Sequence, residues 1–248
     1  MLRFSSVHFS IKDKQIINDI SFTINAGDFI VILGHNGAGK STLFDLISGR
    51  KIPTSGSIFY QDKDITHYND IERASFIARL YQNPRDNVVS TMTVKQNLSL
   101  SLYKNHLCAL QFGESIFNEK TFSPLSKFFS DFETILKTEM RNLSGGQQQT
   151  IAAFMATAAH KPALLLLDEP TAALDPQSAT RVLQFLNKKI QEEKITTLLI
   201  THDPYLAIHL GNKIWVLENG ILIKQIDKSI VEKIDPEHLM GSIPYEQL

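Results

Sequence analysis

The sequence has a single cysteine, Cys108, in 248 residues. That excludes an internal disulfide and a cysteine-based zinc cluster, and it fits a reducing compartment. Charge of either sign is not in surplus: 25 Lys and Arg stand against 26 Asp and Glu, for a net charge of −1. The chain therefore lacks the overall basic footprint of a nucleic-acid-binding protein, and no nucleic-acid partner is expected, although a local basic patch stays open. Long apolar runs are missing too. The purest, residues 163–167, falls far short of the roughly 20 residues that span a bilayer. The start, Met1-Leu2-Arg3-Phe4-Ser5-Ser6, has no apolar secretion-signal core. The expectation is a soluble, cytosolic chain, for which any membrane role must come through a partner. What is present is 43% apolar and 21% charged residues, a balance that fills the core of one domain or of two closely joined ones.

Residues 2–10 and 16–24 carry β-branched and aromatic side chains around a polar Lys12-Asp13-Lys14 turn, and read as strands. Phe29-Ile30-Val31-Ile32-Leu33 is apolar without alternation, the pattern of a strand buried on both faces of a parallel sheet. Glycines follow, then a helix over about 40–48 closed by Gly49, and a short strand at 57–61. From 70 to 141 the character changes: 72–80 and 94–103 read as helical, with no buried strand, and 105–132 shows no clean periodicity. Alternation resumes with a helix at 146–160, a buried strand at 163–167, and a helix at 176–193 with Val182, Leu186 and Ile190 on one face. Another buried strand follows at 196–200. Asn219-Gly220 then joins 214–218 to 221–226 as a hairpin. Residues 228–248 read as an amphipathic appendage.

Gly34-His35-Asn36-Gly37-Ala38-Gly39-Lys40-Ser41-Thr42 matches G-x-x-x-x-G-K-[ST] and lies between a buried strand and a helix, where its mechanism requires. Glycines let successive N–H groups converge into an anion cradle, and the helix dipole adds positive potential there. Lys40 reaches β- and γ-phosphates, and the Ser41 hydroxyl suits Mg²⁺. Downstream, the strand at 163–167 ends in Asp168-Glu169. Strand carboxyl ends line the ligand crevice of an open α/β sheet, so Asp168 can meet a phosphate-bound magnesium while Glu169 polarises an attacking water. Taken alone, Asp168-Glu169-Pro170 also fits a plain turn. His202, closing the next buried strand, is a candidate γ-phosphate contact. It also fits a bystander beside a helix cap made by Asp203 and Pro204, and the two readings are compatible.

Leu143-Ser144-Gly145-Gly146-Gln147 opens a further helix and forms a second helix N-terminus able to hold an anion. In this order, Gly34 to Thr42, Leu143 to Gln147, Leu164 to Glu169, Ala173-Leu174-Asp175 and His202 resemble the Walker A, signature, Walker B, D-loop and switch-histidine motifs of ABC-type ATPases. Gln82 stands where that family has its Q-loop glutamine. The resemblance covers roughly residues 2–226. It implies an α/β fold: a P-loop NTPase core with a mostly parallel sheet, an N-terminal antiparallel β part and an inserted α-helical subdomain. The chain then forms a single ABC ATPase domain over 1–248. Its core comprises 1–81 and 142–226, the helical subdomain 82–141, and the appendage 227–248. It further implies Mg²⁺ with ATP as substrate, the metal on Ser41, Gln82 and Asp168, and catalysis by Glu169 and His202. Ser144, Gly145, Gly146 and Gln147 would act in trans from a second copy paired head-to-tail, with Asp175 in the D-loop.

Four positions, in three segments, depart from the family pattern. Ile11 stands where an aromatic usually stacks on adenine, with Phe9 on the same strand face. Losing the stack costs about 1–3 kcal/mol, so weaker or less base-selective nucleotide binding is expected. Thr150 and Met155 replace two arginines after the signature, and the D-loop has Ala172-Ala173 where Ser-Ala is commoner. The Met155-Ala156-Thr157 and Thr171-to-Asp175 stretches are similar to one branch of bacterial importer ATPases associated with amino acids. The expectation is the ATP-hydrolysing subunit of an importer, peripheral on the cytoplasmic face of the cell membrane. Its partners would be transmembrane permease subunits and, indirectly, a solute-binding protein. The alternative is a soluble ABC ATPase acting on nucleic acid or ribosomes, which the balanced charge and the single motif set disfavour.

Overall fold

A computed structural model describes residues 1–102, 122–158, 161–172 and 174–231. In chain order the elements begin with β1 (Leu2–Ile11), β2 (Lys14–Ile24), β3 (Phe29–Leu33), α1 (Lys40–Ser48), β4 (Ser55–Tyr60), β5 (Lys63–Asp64), α2 (Asp70–Arg73), β6 (Ile77–Leu80) and α3 (Val94–Leu102). They continue with α4 (Phe132–Lys137), α5 (Gly145–Ala158), β7 (Leu164–Asp168), α6 (Pro176–Glu193), β8 (Thr196–Ile200), α7 (Pro204–Leu210), β9 (Lys213–Glu218), β10 (Ile221–Asp227) and α8 (Lys228–Val231). Among the described residues, no helix is long and apolar enough to cross a membrane. The chain divides into two compact units, 1–73 with 196–248, and 74–195.

In the first unit an antiparallel sheet runs in the order β2-β1-β4-β5. A second sheet portion places β3 between β8 and β9, parallel to both, with β10 antiparallel on β9. All five residues of β3, a continuous apolar run, are buried, and so are all five of β8, which opens with Thr196 and Thr197. Phe22 joins the layers of this core, stacking on Phe4 at 4.5 Å and tilting against Trp215 at 4.7 Å. The β9–β10 turn has Asn219 at φ 47° and Gly220 at φ 76°, the left-handed pair a two-residue hairpin needs.

Arg73 is completely buried in this unit. Its guanidinium donates to the Leu46 and Ile47 carbonyls at 2.7 and 2.9 Å, and to Ile65 and Thr66 at 2.6 and 3.2 Å. It thus satisfies carbonyls in the last turn of α1, where a cation also suits the helix dipole. Burial pulls its pKa down to about 10, leaving it charged at neutral pH.

In the second unit, β6 pairs in parallel with β7, from Ile77 opposite Leu164 to Leu80 opposite Leu167. This corrects the helical expectation for 72–80 and the absence of a strand from the middle of the chain. Ile77 and Leu80, three apart, mimic a helical spacing, but the segment's backbone partner lies more than 80 residues away. Only Asp70–Arg73 is helical here. Phe122, Phe154, Phe185 and Phe128 form a linked ring cluster with centroids 5.5–5.8 Å apart. Arginine-free α5 buries Ile151, Ala152, Ala153 and Phe154. Thr150 folds its hydroxyl onto the Gly146 carbonyl at 2.8 Å. Residues 103–121, with Cys108 and much of the stretch that shows no clean periodicity, the last two residues of the helix expected over 146–160, Ala173, and the appendage beyond 231 lie outside the described residues.

Candidate active site

The residues singled out from the sequence divide between the two units. In the first, β3 delivers the chain into the loop from Gly34 to Gly39, and α1 opens at Lys40. Gly39 caps α1 from a left-handed φ of 103° and, having no side chain, makes no capping bond to the first helical N–H groups. Those amides are the donors an anion needs. His35, Asn36, Gly37 and Ser41 are exposed, Thr42 is half-buried, and Ala38 is buried. Lys40 is 7% exposed and curls back, its Nζ 2.6 Å from the Gly34 carbonyl oxygen and 3.0 Å from that of His35. The ammonium is thereby parked at the mouth of its own loop.

Behind this loop stands the β9–β10 hairpin, a placement that no local sequence signal announces. Gly220 N–H donates to the Ala38 carbonyl at 2.9 Å, and the Gly220 carbonyl accepts from Asn18 N–H at 2.9 Å. A Cβ at Gly34 would overlap the Leu217 carbonyl oxygen. The loop is therefore clamped from the back by main-chain contacts that tolerate no side chain.

His202 follows β8 and is exposed. Ile32 pairs with Ile200, so Gly34 and His202 leave the same end of neighbouring parallel strands. The capping reading also holds, since Asp203 accepts from the N–H groups of Tyr205 and Leu206 at 2.8 and 3.3 Å, with Pro204 in the first turn. Ile11, at the end of β1, is 49% exposed and offers an open aliphatic surface. Phe9 is half-buried, with the Lys51 ammonium 5.4 Å from its ring centre.

In the second unit the carboxyl end of β7 presents both acidic residues; β6 supplies a partner for Asp168, and the loop after β6 one for Glu169. Asp168, 8% exposed, is paired through Oδ2 with Arg79 Nη2 at 2.7 Å, and that guanidinium lies over the Tyr81 ring at 4.6 Å. Gln82 Nε2 donates to Glu169 Oε2 at 3.4 Å. Glu169 has φ 44°, a left-handed backbone that costs an L-residue about 1–3 kcal/mol and clusters at working sites. Arg79 was not legible as a site residue while 72–80 was read as a helix.

The signature segment caps α5. Ser144 N–H donates to Gln147 Oε1 at 3.0 Å, and Gln147 N–H returns a bond to Ser144 Oγ at 3.3 Å, a reciprocal capping box. Asp175 caps α6, accepting from Gln177 and Ser178 N–H at 3.1 and 3.0 Å. The hydrogen bonds from Ser178 hold its carboxyl below the usual range. The two caps adjoin: a Cβ on Gly146 would sit 2.8 Å from Ser178 Cβ. Signature and D-loop thus meet in one place, with Gly145 exposed at the α5 terminus and Gly146 close against Ser178.

Comparison with known proteins agrees with these motifs. A family model described as ABC transporter matches residues 17–172. A tyrosine transport ATP-binding protein of Clostridioides difficile is 34% identical over 235 residues, covering 94% of this chain and 92% of that protein. A thiamine import ATP-binding protein of Haemophilus influenzae is 34% identical over 221 residues, covering 89% of this chain and 96% of its own length. Among solved structures, the bacterial ABC transporter cassette MJ0796, determined as a dimer, superposes with a TM-score of 0.78 at 27% identity, covering 92% of this chain and 99% of that one.

Proposed function

This chain belongs to the ABC transporter family and is an ATPase subunit, and we propose that it powers an importer, with amino acids as the solute class. The observation that carries the reading is one phosphate loop and one exposed signature cap among the described residues. Each is half of a nucleotide site, and each calls for its complement from a second copy. The likeness to a tyrosine transport ATP-binding protein over nearly the whole length supports the solute class.

In this reading the loop amides from Gly34 to Ser41 take the phosphates of ATP, and Lys40 exchanges the Gly34 and His35 carbonyls for β- and γ-phosphate oxygens. Ser41, Gln82 and Asp168 offer a hydroxyl, a carboxamide and a carboxylate, the all-oxygen donor set that Mg²⁺ takes. Bound there with ATP, the metal supplies neutralisation of charge on the phosphate oxygens. Glu169 accepts the proton of the water that attacks the γ-phosphorus while the bond to the β-phosphate oxygen breaks, leaving ADP and phosphate. His202 donates a hydrogen bond to the γ-phosphate. Ser144, Gly145, Gly146 and Gln147 of a second copy cover the same phosphate, with Asp175 setting the adjoining turn.

A cavity of about 360 Å³ in the second unit, lined by Asp86, Val88, Val89, Asn97, Leu100 and Met155, gives a permease subunit a place to dock. The chain then sits peripherally on the cytoplasmic face of the membrane, and reaches a solute-binding protein only through the permease. Affinity purification of the intact complex from membranes tests this. Chains with membrane spans are expected to co-purify in stoichiometric amounts, whereas a lone soluble dimer would sink the transport reading and leave the ATPase standing.

A further inference from the structure

Gln149 lies on α5, two residues beyond the signature, and is completely buried. Its carboxamide is fully engaged. Nε2 donates to the Pro170 carbonyl at 3.0 Å and to the Tyr81 carbonyl at 3.3 Å, while Oε1 accepts from Asn87 Nδ2 at 3.3 Å. Tyr81 immediately precedes Gln82, and Pro170 immediately follows Glu169. One side chain therefore holds the main chain on both sides of the Gln82–Glu169 contact.

Asn87 completes the arrangement from the other side. Its Oδ1 accepts from Tyr81 N–H at 2.7 Å, and its Nδ2 donates to the Tyr81 and Asn83 carbonyls at 3.0 and 3.2 Å. The loop carrying Gln82 is thus closed on itself by Asn87 and tied to α5 by Gln149. Glu169 needs such support, because its left-handed backbone persists only where neighbours over-determine it. A buried amide with three partners is rigid; losing it takes the donor from the Pro170 carbonyl and leaves the Tyr81 carbonyl to Asn87.

We propose that Gln149 is a positioning residue for hydrolysis, fixing the main chain at Tyr81 and Pro170 so that Glu169 and Gln82 stay in register with each other. The proposal rests on the reading of Glu169 as the base. Gln149 is completely buried and bonds to main-chain carbonyls and to Asn87, so its loss leaves ATP binding alone and acts on the chemical step. Displacing a catalytic group by about 1 Å costs on the order of 100-fold in rate.

The test is steady-state ATPase kinetics on the purified full chain, with Gln149→Leu made alone and combined with Glu169→Gln. Gln149→Leu is expected to lower kcat by about 10–100-fold with KM for ATP within about twofold, the signature of an interaction made in the transition state. In the Glu169→Gln background it should add almost nothing, because both changes remove the same function. Asn87→Ala, at a half-buried position, serves where Gln149→Leu does not fold, and should lower kcat by about 3–10-fold with KM unchanged. An unchanged kcat, a KM that rises with it, or losses that multiply in the double variant would overturn the proposal. If Glu169→Gln itself hydrolyses at the normal rate, the reading of the base falls. Normal Gln149→Leu turnover beside an inactive Glu169→Gln removes the positioning role alone.

Discussion

Glu169→Gln is expected to lower ATP turnover by about 10²–10⁴-fold, the range a positioned general base contributes, while ATP binding persists. The substitution keeps the side chain's size and still offers an oxygen to Gln82, which donates to Glu169 at 3.4 Å. What it removes is the ability to take a proton from water. Because the phosphate loop and the signature cap are untouched, ATP should then hold two chains together for longer than in the parent. Size-exclusion chromatography with Mg-ATP checks this: a nucleotide-dependent dimer is expected from the variant. A monomer at saturating Mg-ATP, or unchanged turnover, would contradict the assignment.

Arg73→Met is expected to destabilise the fold by about 3–4 kcal/mol, read from the shift of the urea midpoint. The guanidinium reaches four carbonyl oxygens, two of them in the last turn of α1. Methionine fills much of the same volume but leaves those acceptors without a donor, at about 1–3 kcal/mol for each that water does not reach. The gain from no longer burying a charge offsets part of this. The damage should also reach nucleotide binding, since Lys40 and Ser41 stand at the other end of that helix. Arg73→Lys should recover only part of the loss, because three donors on a point charge do not match a planar fork. A midpoint equal to that of the parent would show that the carbonyls find other partners.

The phosphate loop was legible because every cue for it is local. An apolar five-residue strand, spaced glycines, a lysine and a hydroxyl follow one another within fourteen residues, 29 to 42, and the observed β3 and α1 bounds agree. The cap by Asp203 and the Asn219-Gly220 hairpin were legible for the same reason. The strand β6 was not. It has four residues, one of them charged, and it becomes a strand by pairing with β7 across an intervening helical region. With it went Arg79, whose meaning depends on Asp168, 89 positions away. Gln149 was hidden in a run of three glutamines, where sequence cannot say which one turns inward. Nor could it show that Gly220 backs the phosphate loop, because glycine in a hairpin is already explained by the turn.

The most direct measurement is titration of Lys40→Ala with a fluorescent ATP analogue and Mg²⁺, beside the parent chain. Lys40 is buried against the carbonyls of Gly34 and His35, poised where phosphate oxygens would replace them. Loss of a charge-assisted bond of about 1.5–3 kcal/mol should weaken binding by about 10–100-fold and remove turnover. Affinity equal to the parent's would mean that the nucleotide is held elsewhere, and the loop from Gly34 to Thr42 would lose its place at the centre of the site.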